Sequence, residues 1–275
     1  MHVVGTGKRF LELYGEWLHR SEITNNLLLS VAALTDLRNS VFKPPFWFAA
    51  VLRGDYVAGC ALYAMPDGLC LSALDESASA VLVDKFNETD IFCARIAGPE
   101  DACIAVSSLL KATTDVIYEP ITHWQSFIVA DLFPPTRPAS GKLRLTKTED
   151  NDIIVDYGTR YGLEKPSVVE VSKYFLYKSA ADQLWAWDDD GIKTLIAVAG
   201  RTRNSIRVSG VFTPAEYRVR GYASTAVYEV SKRFLGDGCR FCHLVVDKAD
   251  PHVMRIYENI GYTKFESRLE MRPKS

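Results

Sequence analysis

The sequence predicts an α/β (α+β) protein with a mixed, mostly antiparallel sheet and flanking helices. Amphipathic segments with a period near 3.6 residues alternate with short apolar segments, and Gly/Asp turns join several of the short segments into hairpins. A proline-rich segment at 134–141 interrupts this pattern. Because the chain of 275 residues also exceeds the usual size of one domain, we predict domains at 1–133 and 142–275 with a linker over 134–141.

Composition narrows the classes of function. The 32 Lys and Arg nearly balance the 34 Asp and Glu, with a net charge of −2, so neither a nucleic-acid-binding surface nor a polybasic membrane patch is predicted. The longest apolar run, residues 46–52, is far shorter than the roughly 20 residues that span a bilayer. Six cysteines are too few for a disulfide scaffold. We expect a cytoplasmic protein with reduced thiols, and a small molecule or a local protein surface as its partner.

The first domain is predicted to combine helices with a meander of strands. Its helices show apolar residues at helical spacing, and its strands are bounded by Gly, Pro and Asp turns. The predicted elements are a helix at 26–37, strands at 47–52, 57–64 and 69–74 with a turn at 65–68, a helix at 78–86, a strand at 91–97 and a helix at 100–112.

The second domain begins after the linker and shows the same kinds of signal. The predicted elements are a strand at 143–146, helices at 151–161 and 168–179, a hairpin of strands at 184–187 and 194–199, a strand at 206–212, a helix at 223–234, a strand at 241–246 and a helix at 251–260. Residues 46–64 and 183–201 both read as strand, Gly/Asp turn and strand after helical sequence, which predicts two copies of one plan.

Acidic residues at the predicted hairpin turn, Asp188–Asp190, form a candidate metal site on first inspection. They lack the spaced oxygen ligands and the closing Glu of a calcium loop, so a solvated hairpin tip is the preferred interpretation and no metal is expected. The Cys239–Cys242 pair forms a CxxC sequence. A zinc site needs two further ligands and a redox motif opens a helix, whereas this pair enters a strand, so we interpret both thiols as inert.

The most informative segment is a strand, a basic turn and a helix. Apolar residues at 206–212 are interrupted by Ser209-Gly210, which predicts a bulge. The turn that follows contains Arg218, Arg220 and Gly221. The first turn of a helix presents unpaired backbone N–H groups and a positive dipole end, and the two arginines add charge-assisted hydrogen bonds. Since Gly221 would not hold a ligand away from those N–H groups, the segment predicts a diphosphate site.

Two linked motifs carry a family resemblance. Arg218-x-x-Gly221-x-Ala223 resembles the Q/R-x-x-G-x-G/A signature of the GNAT superfamily of N-acetyltransferases, where it binds the pyrophosphate of coenzyme A. Val211-Phe212-Thr213-Pro214, shortly before it, is similar to the V-Y-T-P motif of that acetyl-CoA site. Farther along the chain, residues 256–262 resemble the Y-containing run that follows the site in these enzymes. The match covers about residues 142–271.

The resemblance implies an N-acyltransferase that moves an acetyl or short acyl group from acetyl-CoA or another acyl-CoA to an amine, by direct attack within a ternary complex. It implies that backbone groups at 211–213 contact the pantetheine arm and that the turn holds the pyrophosphate. The implied acyl-CoA-binding residues are Val211, Phe212, Thr213, Arg218, Val219, Arg220, Gly221, Tyr222, Ala223 and Ser224.

Tyr257 is the implied catalytic residue. A phenol with a pKa near 10 stays protonated at neutral pH and can donate a proton to the departing thiolate. The competing interpretation is that the Tyr257 ring only packs on the core side of its helix. The acceptor, a small-molecule or peptide amine, stays open, as do the acyl chain length and the oligomeric state, monomer or homodimer.

The sequence departs from the family pattern in two places. Many relatives have an N-P-x-S-N motif where this chain has residues 250–254, so a side-chain amide that contacts coenzyme A in those relatives is missing. Asp250 can still cap the helix. Strand 206–212 also carries no acid as general base, and only loose position suggests Asp247, Glu170 or His243. The alternatives are therefore a non-catalytic acyl-CoA-binding or sensing protein, or a plain α/β scaffold for protein interaction.

The first domain contains no Arg-x-x-Gly-x-Gly/Ala pattern. Its closest turn, residues 97–100, supplies a helix start without basic residues. By resemblance with tandem members of the superfamily, we expect residues 1–133 to be a degenerate GNAT-like copy that lacks the coenzyme A motif.

Overall fold

The computed structural model describes residues 1–37, 42–65, 68–165 and 170–274. Two sequence-based predictions fall partly outside these residues. They are positions 66 and 67 of the predicted turn and positions 168 and 169 of the predicted helix at 168–179. No helix in the described ranges combines the length and the apolar character needed to cross a membrane.

The chain divides into two compact units that are not simple halves of the sequence. The first unit comprises Met1–Ser126, Val246–Ala249 and Phe265–Ser275, and the second comprises Phe127–Val245 and Asp250–Lys264. Both units mix helices with a mostly antiparallel sheet, so the predicted fold class is confirmed. The sequence domains at 1–133 and 142–275 stay a prediction.

The first ten elements along the chain alternate helices with strands that pair mostly with their sequence neighbours. They are β1 (His2–Val4), α1 (Gly7–His19), α2 (Asn26–Thr35), β2 (Lys43–Arg53), β3 (Tyr56–Met65), β4 (Gly68–Leu71), α3 (Glu76–Asn87), β5 (Ile96–Pro99), α4 (Glu100–Thr114) and β6 (Tyr118–Val129). The strands from β1 to β5 are neighbours in this order. Only β4 and β5 are parallel, because the α3 crossover connects them.

The next ten elements repeat that order of strands and helices. They are β7 (Lys142–Leu145), α5 (Asn151–Glu164), α6 (Val171–Ala180), β8 (Leu184–Asp188), β9 (Ile192–Ala199), β10 (Ser205–Phe212), α7 (Tyr222–Gly236), β11 (Phe241–Asp247), α8 (Pro251–Glu258) and β12 (Thr263–Pro273). The strands from β7 to β11 are neighbours, and only β10 and β11, which α7 connects, are parallel. By element order, α7 therefore corresponds to α3.

Four regular elements were not predicted, namely α1, β1, β6 and β12. The first of these has a clear amphipathic pattern, since Phe10, Tyr14 and Leu18 are buried at four-residue spacing while charged residues fill the opposite positions. The predicted strand at 91–97 is regular only from Ile96 onward. Ahead of it, the hydroxyl groups of two tyrosines donate to the backbone carbonyls of Phe92 and Cys93, which replaces strand pairing there.

In the second unit, α5 and α6 pack on the sheet through an apolar cluster. Tyr157 and Phe175 from the helices meet Leu195 and Ala197 of β9 and Phe212 of β10. Because Phe212 is the last residue of β10, this packing fixes the end of the strand from which the basic turn departs.

Candidate active site

A bulge in β10 is the first feature of the site. The antiparallel register between β10 and β9 shifts between Ser209 and Phe212, and Gly210 lies in the left-handed region with φ of 53°. A Cβ atom at Gly210 would lie 2.8 Å from the Phe175 ring. Glycine is therefore required both by the backbone conformation and by the ring against it, and the predicted bulge is observed.

The strands β10 and β11 separate beyond this point. Their parallel register joins Ser205–Arg207 to Phe241–His243 and extends no farther. The rest of β10, residues 208–212, continues along β9. In a strand that has left its neighbour, backbone N–H and C=O groups on that edge need other partners. The gap can therefore accept an extended ligand through main-chain hydrogen bonds.

The turn between β10 and α7 contains two residues with left-handed backbone. Val219 has φ of 63° and Gly221 has φ of 82°, and the Val219 side chain is 97% exposed. A β-branched residue in this region is strained, and such strain is found mostly where function requires it. A Cβ atom at Gly221 would lie 2.8 Å from the Arg137 carbonyl oxygen. The helix therefore begins at a position that only glycine fits.

The two arginines of the turn are placed differently. The Arg218 Nε atom donates to the Thr213 carbonyl at 2.8 Å, and its guanidinium also forms an ion pair with Glu164. Arg218 thereby ties the turn to the end of β10 and to α5. Arg220 is exposed at the tip of the turn. The Arg218 guanidinium is thus engaged within the protein, whereas the Arg220 side chain is exposed to solvent.

The hairpin tip at 188–190 supports the start of α7. The Asp189 carboxylate accepts hydrogen bonds from the Tyr222 hydroxyl and from the Ser140 hydroxyl, both at 2.7 Å. The Tyr222 bond, with a smaller contribution from Ser140, lowers the pKa of Asp189. Asp188 pairs with Arg144 at 2.7 Å. The tip is thus only partly a solvated turn, and the Tyr222 side chain serves to anchor the helix.

The predicted linker also lies against this helix, within the second unit. The Ala139 N–H donates to the Thr225 hydroxyl at 2.9 Å, and the Trp187 indole N–H donates to the Ser140 carbonyl at 2.7 Å. Together with the Arg137 carbonyl near Gly221, these bonds hold the segment along the first turn of α7.

Tyr257 lies on α8 in the same unit. Asp250 caps this helix by accepting from the Val253 N–H at 3.2 Å, and Pro251 occupies its first turn, as predicted. The Tyr257 ring is buried and contacts the Tyr262 ring edge-on at 6.0 Å between centroids. Burial, with smaller contributions from nearby groups, raises the pKa of Tyr257 above its usual value. The phenol therefore stays protonated at neutral and mildly alkaline pH, while its packing also agrees with a core role.

The suggested bases occupy three unrelated environments. Glu170 is exposed at the start of α6 and forms an ion pair with Lys173. The Asp247 carboxylate accepts from the Ala249 N–H at 3.0 Å, and His243 is buried in β11. The role of each stays a prediction.

The cysteine pair and the acidic residues show no metal-binding arrangement. Cys239 and Cys242 are buried and neither forms a disulfide, and burial raises the pKa of Cys242 to about 12. The described ranges contain no group of three or more His, Cys, Asp or Glu side chains arranged to hold a metal ion.

Sequence reasoning missed a polar cluster on α6 and β10. The Tyr174 hydroxyl lies 3.0 Å from the Ser209 hydroxyl, and the Lys178 ammonium donates to the Gln183 side chain at 2.7 Å. Arg207 is two residues before Ser209, so their side chains leave the same face of β10. An arginine and a serine at this spacing in an otherwise apolar strand mark the β10 part of the cluster, whereas its α6 part has no comparable signal.

A family match covers part of the chain. Residues 155–262 match the Acetyltransferase (GNAT) family. These residues form a GNAT domain. They contain β10, the basic turn, α7 and Tyr257. No curated protein matches the chain.

Several solved structures are similar to this chain over most of its length. A Drosophila protein superposes with a TM-score of 0.70 at 12% identity, covering 98% of this chain and 97% of its own. A tandem GNAT protein from the clavulanic acid biosynthesis pathway gives a TM-score of 0.55 at 12% identity, with coverage of 98% and 97%. A GCN5-related N-acetyltransferase from Kribbella flavida gives 0.53 at 15% identity, with coverage of 83% and 90%. At such low sequence identity, the similarity shows a shared fold and nothing more.

Proposed function

We propose that the protein is an N-acyltransferase in which an amine attacks an acyl-CoA thioester bound by the second unit. The observation that carries the proposal is the turn before α7, where left-handed Val219 and Gly221 lead into the helix N-terminus beside Arg220. The GNAT family supports acyl transfer from acyl-CoA in general terms. The acceptor class and the individual roles of residues are our proposals.

The residues of the turn fit a diphosphate. The N–H groups of Tyr222, Ala223 and Ser224 are in the first turn of α7, where backbone donors have no intrahelical acceptor. The helix dipole favours an anion there. Gly221 leaves that approach open, and Arg220 is free to form a charge-assisted hydrogen bond with a phosphate oxygen. The proposed role of Arg218 is to hold the turn in place while its charge adds to the local field.

The gap between β10 and β11 fits the remainder of the donor. Backbone groups of Val211, Phe212 and Thr213 follow the bulge, on the part of β10 that has left β11. A pantetheine arm carries amide groups that can pair with a strand edge as another strand would. We therefore propose that these three residues bind the pantetheine arm. The acyl group would then lie at the vertex of the gap, where β10 and β11 begin to separate.

Chemistry then requires two proton transfers. The amine attacks the thioester carbonyl, the C–S bond breaks, the amine nitrogen loses a proton and the departing thiolate gains one. We assign the second transfer to Tyr257, whose raised pKa keeps the phenol protonated when the thiolate departs. Because β10 has no acidic residue, the proton of the amine leaves through solvent or a water relay in this proposal.

The first unit is assigned a supporting role as a degenerate GNAT-like copy. It repeats the order of elements in the second series, and the structural likeness to a tandem GNAT protein extends over both. Its helix α3 corresponds to α7 but is capped by Asp75 and has no basic residue in its first turn. In this proposal the chain is a tandem GNAT protein with one donor site.

Release of free thiol from acetyl-CoA, measured against a panel of small amines, amino acids and peptides, tests the proposal. We expect release that depends on an amine from the panel. Calorimetric binding of acetyl-CoA without release by any acceptor would instead indicate a sensing protein. An absence of both binding and release would contradict the proposed function.

A further inference from the structure

The polar cluster beside the β10 bulge contains two basic side chains and no acidic one. It consists of Tyr174, Lys178, Gln183, Arg207 and Ser209, all in the second unit. Lys178 is only 7% exposed, and the Nε atom of Arg207 is buried without a hydrogen-bond partner. The acceptor for the Lys178 ammonium is a neutral amide. In the described part of the chain, neither cation forms an ion pair.

Electrostatics disfavour this arrangement in the absence of an anion. Desolvation, together with repulsion from Arg207, lowers the pKa of Lys178 to about 8. The Tyr174 and Tyr177 rings, 5.5 and 5.7 Å from the ammonium, offset only part of that cost through cation–π contacts. At neutral pH, Lys178 stays mostly protonated. A buried Lys178 ammonium next to a half-buried Arg207 whose Nε atom is buried is unfavourable, and a bound anion would offset that cost.

The cluster lies where the proposed reaction takes place. Arg207 is the last β10 residue in register with β11, and Ser209 is next to the bulge glycine. The proposed function assigns the acyl group to the vertex of the same gap. An anionic group bound here would therefore belong to the acceptor. The pyrophosphate of the donor lies at the other end of the strand in that proposal.

We propose that the acceptor is a primary amine that also carries a carboxylate, and that Lys178 and Arg207 bind this carboxylate. The guanidinium fork and the ammonium together match the two oxygens of a carboxylate. The paired hydroxyl groups of Tyr174 and Ser209 lie next to the bulge glycine and connect this cluster to the bulge. This inference rests on the proposed function and specifies its acceptor.

Bisubstrate conjugates test the inference without the need for turnover. In each, the sulfur of coenzyme A is joined through a –CH₂–CO– bridge to the nitrogen of glycine, β-alanine or γ-aminobutyrate, or of the corresponding amide. Calorimetry gives the Kd for each acid and amide pair on the full chain. We expect at least one acid to bind about tenfold or more tightly than its amide.

Variants then attribute the preference to the cluster. In Lys178→Met and in Arg207→Gln, the ratio of the two Kd values should fall toward one, whereas Lys173→Met, on an exposed lysine of the same helix, should keep the wild-type ratio. Because the readout is a ratio within each protein, a general loss of stability does not produce it. Melting curves identify any variant that fails to fold.

Two results would overturn the inference. Equal affinity for acids and amides at all three lengths would show that no carboxylate is recognised, with the proposed function intact if the conjugates still bind. A preference that survives both Lys178→Met and Arg207→Gln would show that other residues bind the carboxylate. If neither the conjugates nor acetyl-CoA bind, the proposed function fails and the inference fails with it.

Discussion

Two corresponding helices, α3 in the first unit and α7 in the second, begin in opposite ways. Asp75 caps α3 with its own side chain, accepting from the Ala78 N–H at 2.8 Å. Arg53 binds the same carboxylate with distances of 3.1 and 3.0 Å. At the start of α7, left-handed Gly221 occupies the cap position and provides no side-chain hydrogen bond.

The difference indicates which features would leave a helix N-terminus available to an anion. In α3 the protein supplies the anion itself, and Glu76 adds a second negative charge to the first turn. In α7 the cap carries no side chain and the basic residues precede it. The same backbone geometry can therefore be closed or open to a ligand, depending on one residue and the charges around it.

Gly221→Val is expected to have the largest effect on the α7 turn. The new side chain would meet the Arg137 carbonyl and would be strained at φ of 82°. We expect the affinity for acetyl-CoA, measured by calorimetry, to fall by about 100-fold or more. Gly238→Val is the matched control, because Gly238 has φ of 92° but no atom within 4 Å of an added Cβ. Equal losses in both variants would indicate strain alone.

Tyr257→Phe separates binding from turnover in the second unit. The substitution removes the proposed proton donor and keeps the ring, so we expect turnover to fall about 100-fold while the Kd for acetyl-CoA changes little. Because burial raises the pKa of Tyr257, turnover of the wild type should not decline through ionisation of this phenol up to about pH 10. Unchanged turnover in the variant would assign Tyr257 to packing.

Arg220→Glu tests the charge of the turn with little effect on the fold, since the residue is exposed. Loss of a charge-assisted hydrogen bond and reversal of the charge should weaken acetyl-CoA binding about 10- to 100-fold. The loss should be smaller at high ionic strength because exposed charges are screened. Arg240→Glu, at an exposed arginine after α7, serves as control. A similar loss in both variants would point to net charge rather than a local contact.

Asp75→Ala should have the smallest effect and should concern stability only. The hydrogen bond from Ala78 and, second, the one from Arg53 lower the pKa of Asp75. A lowered carboxyl pKa stabilises the fold above the unfolded pKa near 4 and loses that effect as pH falls through the folded value. We expect a lower Tm for the variant at pH 7 and a difference that shrinks below about pH 4. A difference that is independent of pH would contradict the capping role.

The sequence predicted these features unevenly. The α7 turn can be predicted because Arg218, Gly221 and Ala223 lie within six positions of the sequence and act through local backbone geometry. In the first unit, the sequence points to residues 97–100 as the closest turn, whereas the order of elements shows that Asp75 corresponds to Gly221. The pair of Lys178 and Arg207 depends on the packing of α6 beside β10, and no local pattern encodes that proximity.

A calorimetric titration of the full chain with acetyl-CoA tests the central claim most directly. The account predicts measurable heat with one site per chain, because the start of α7 is open and the start of α3 is closed by Asp75. Titration of pure, folded protein without any heat of binding, or with two equivalent sites, would contradict it.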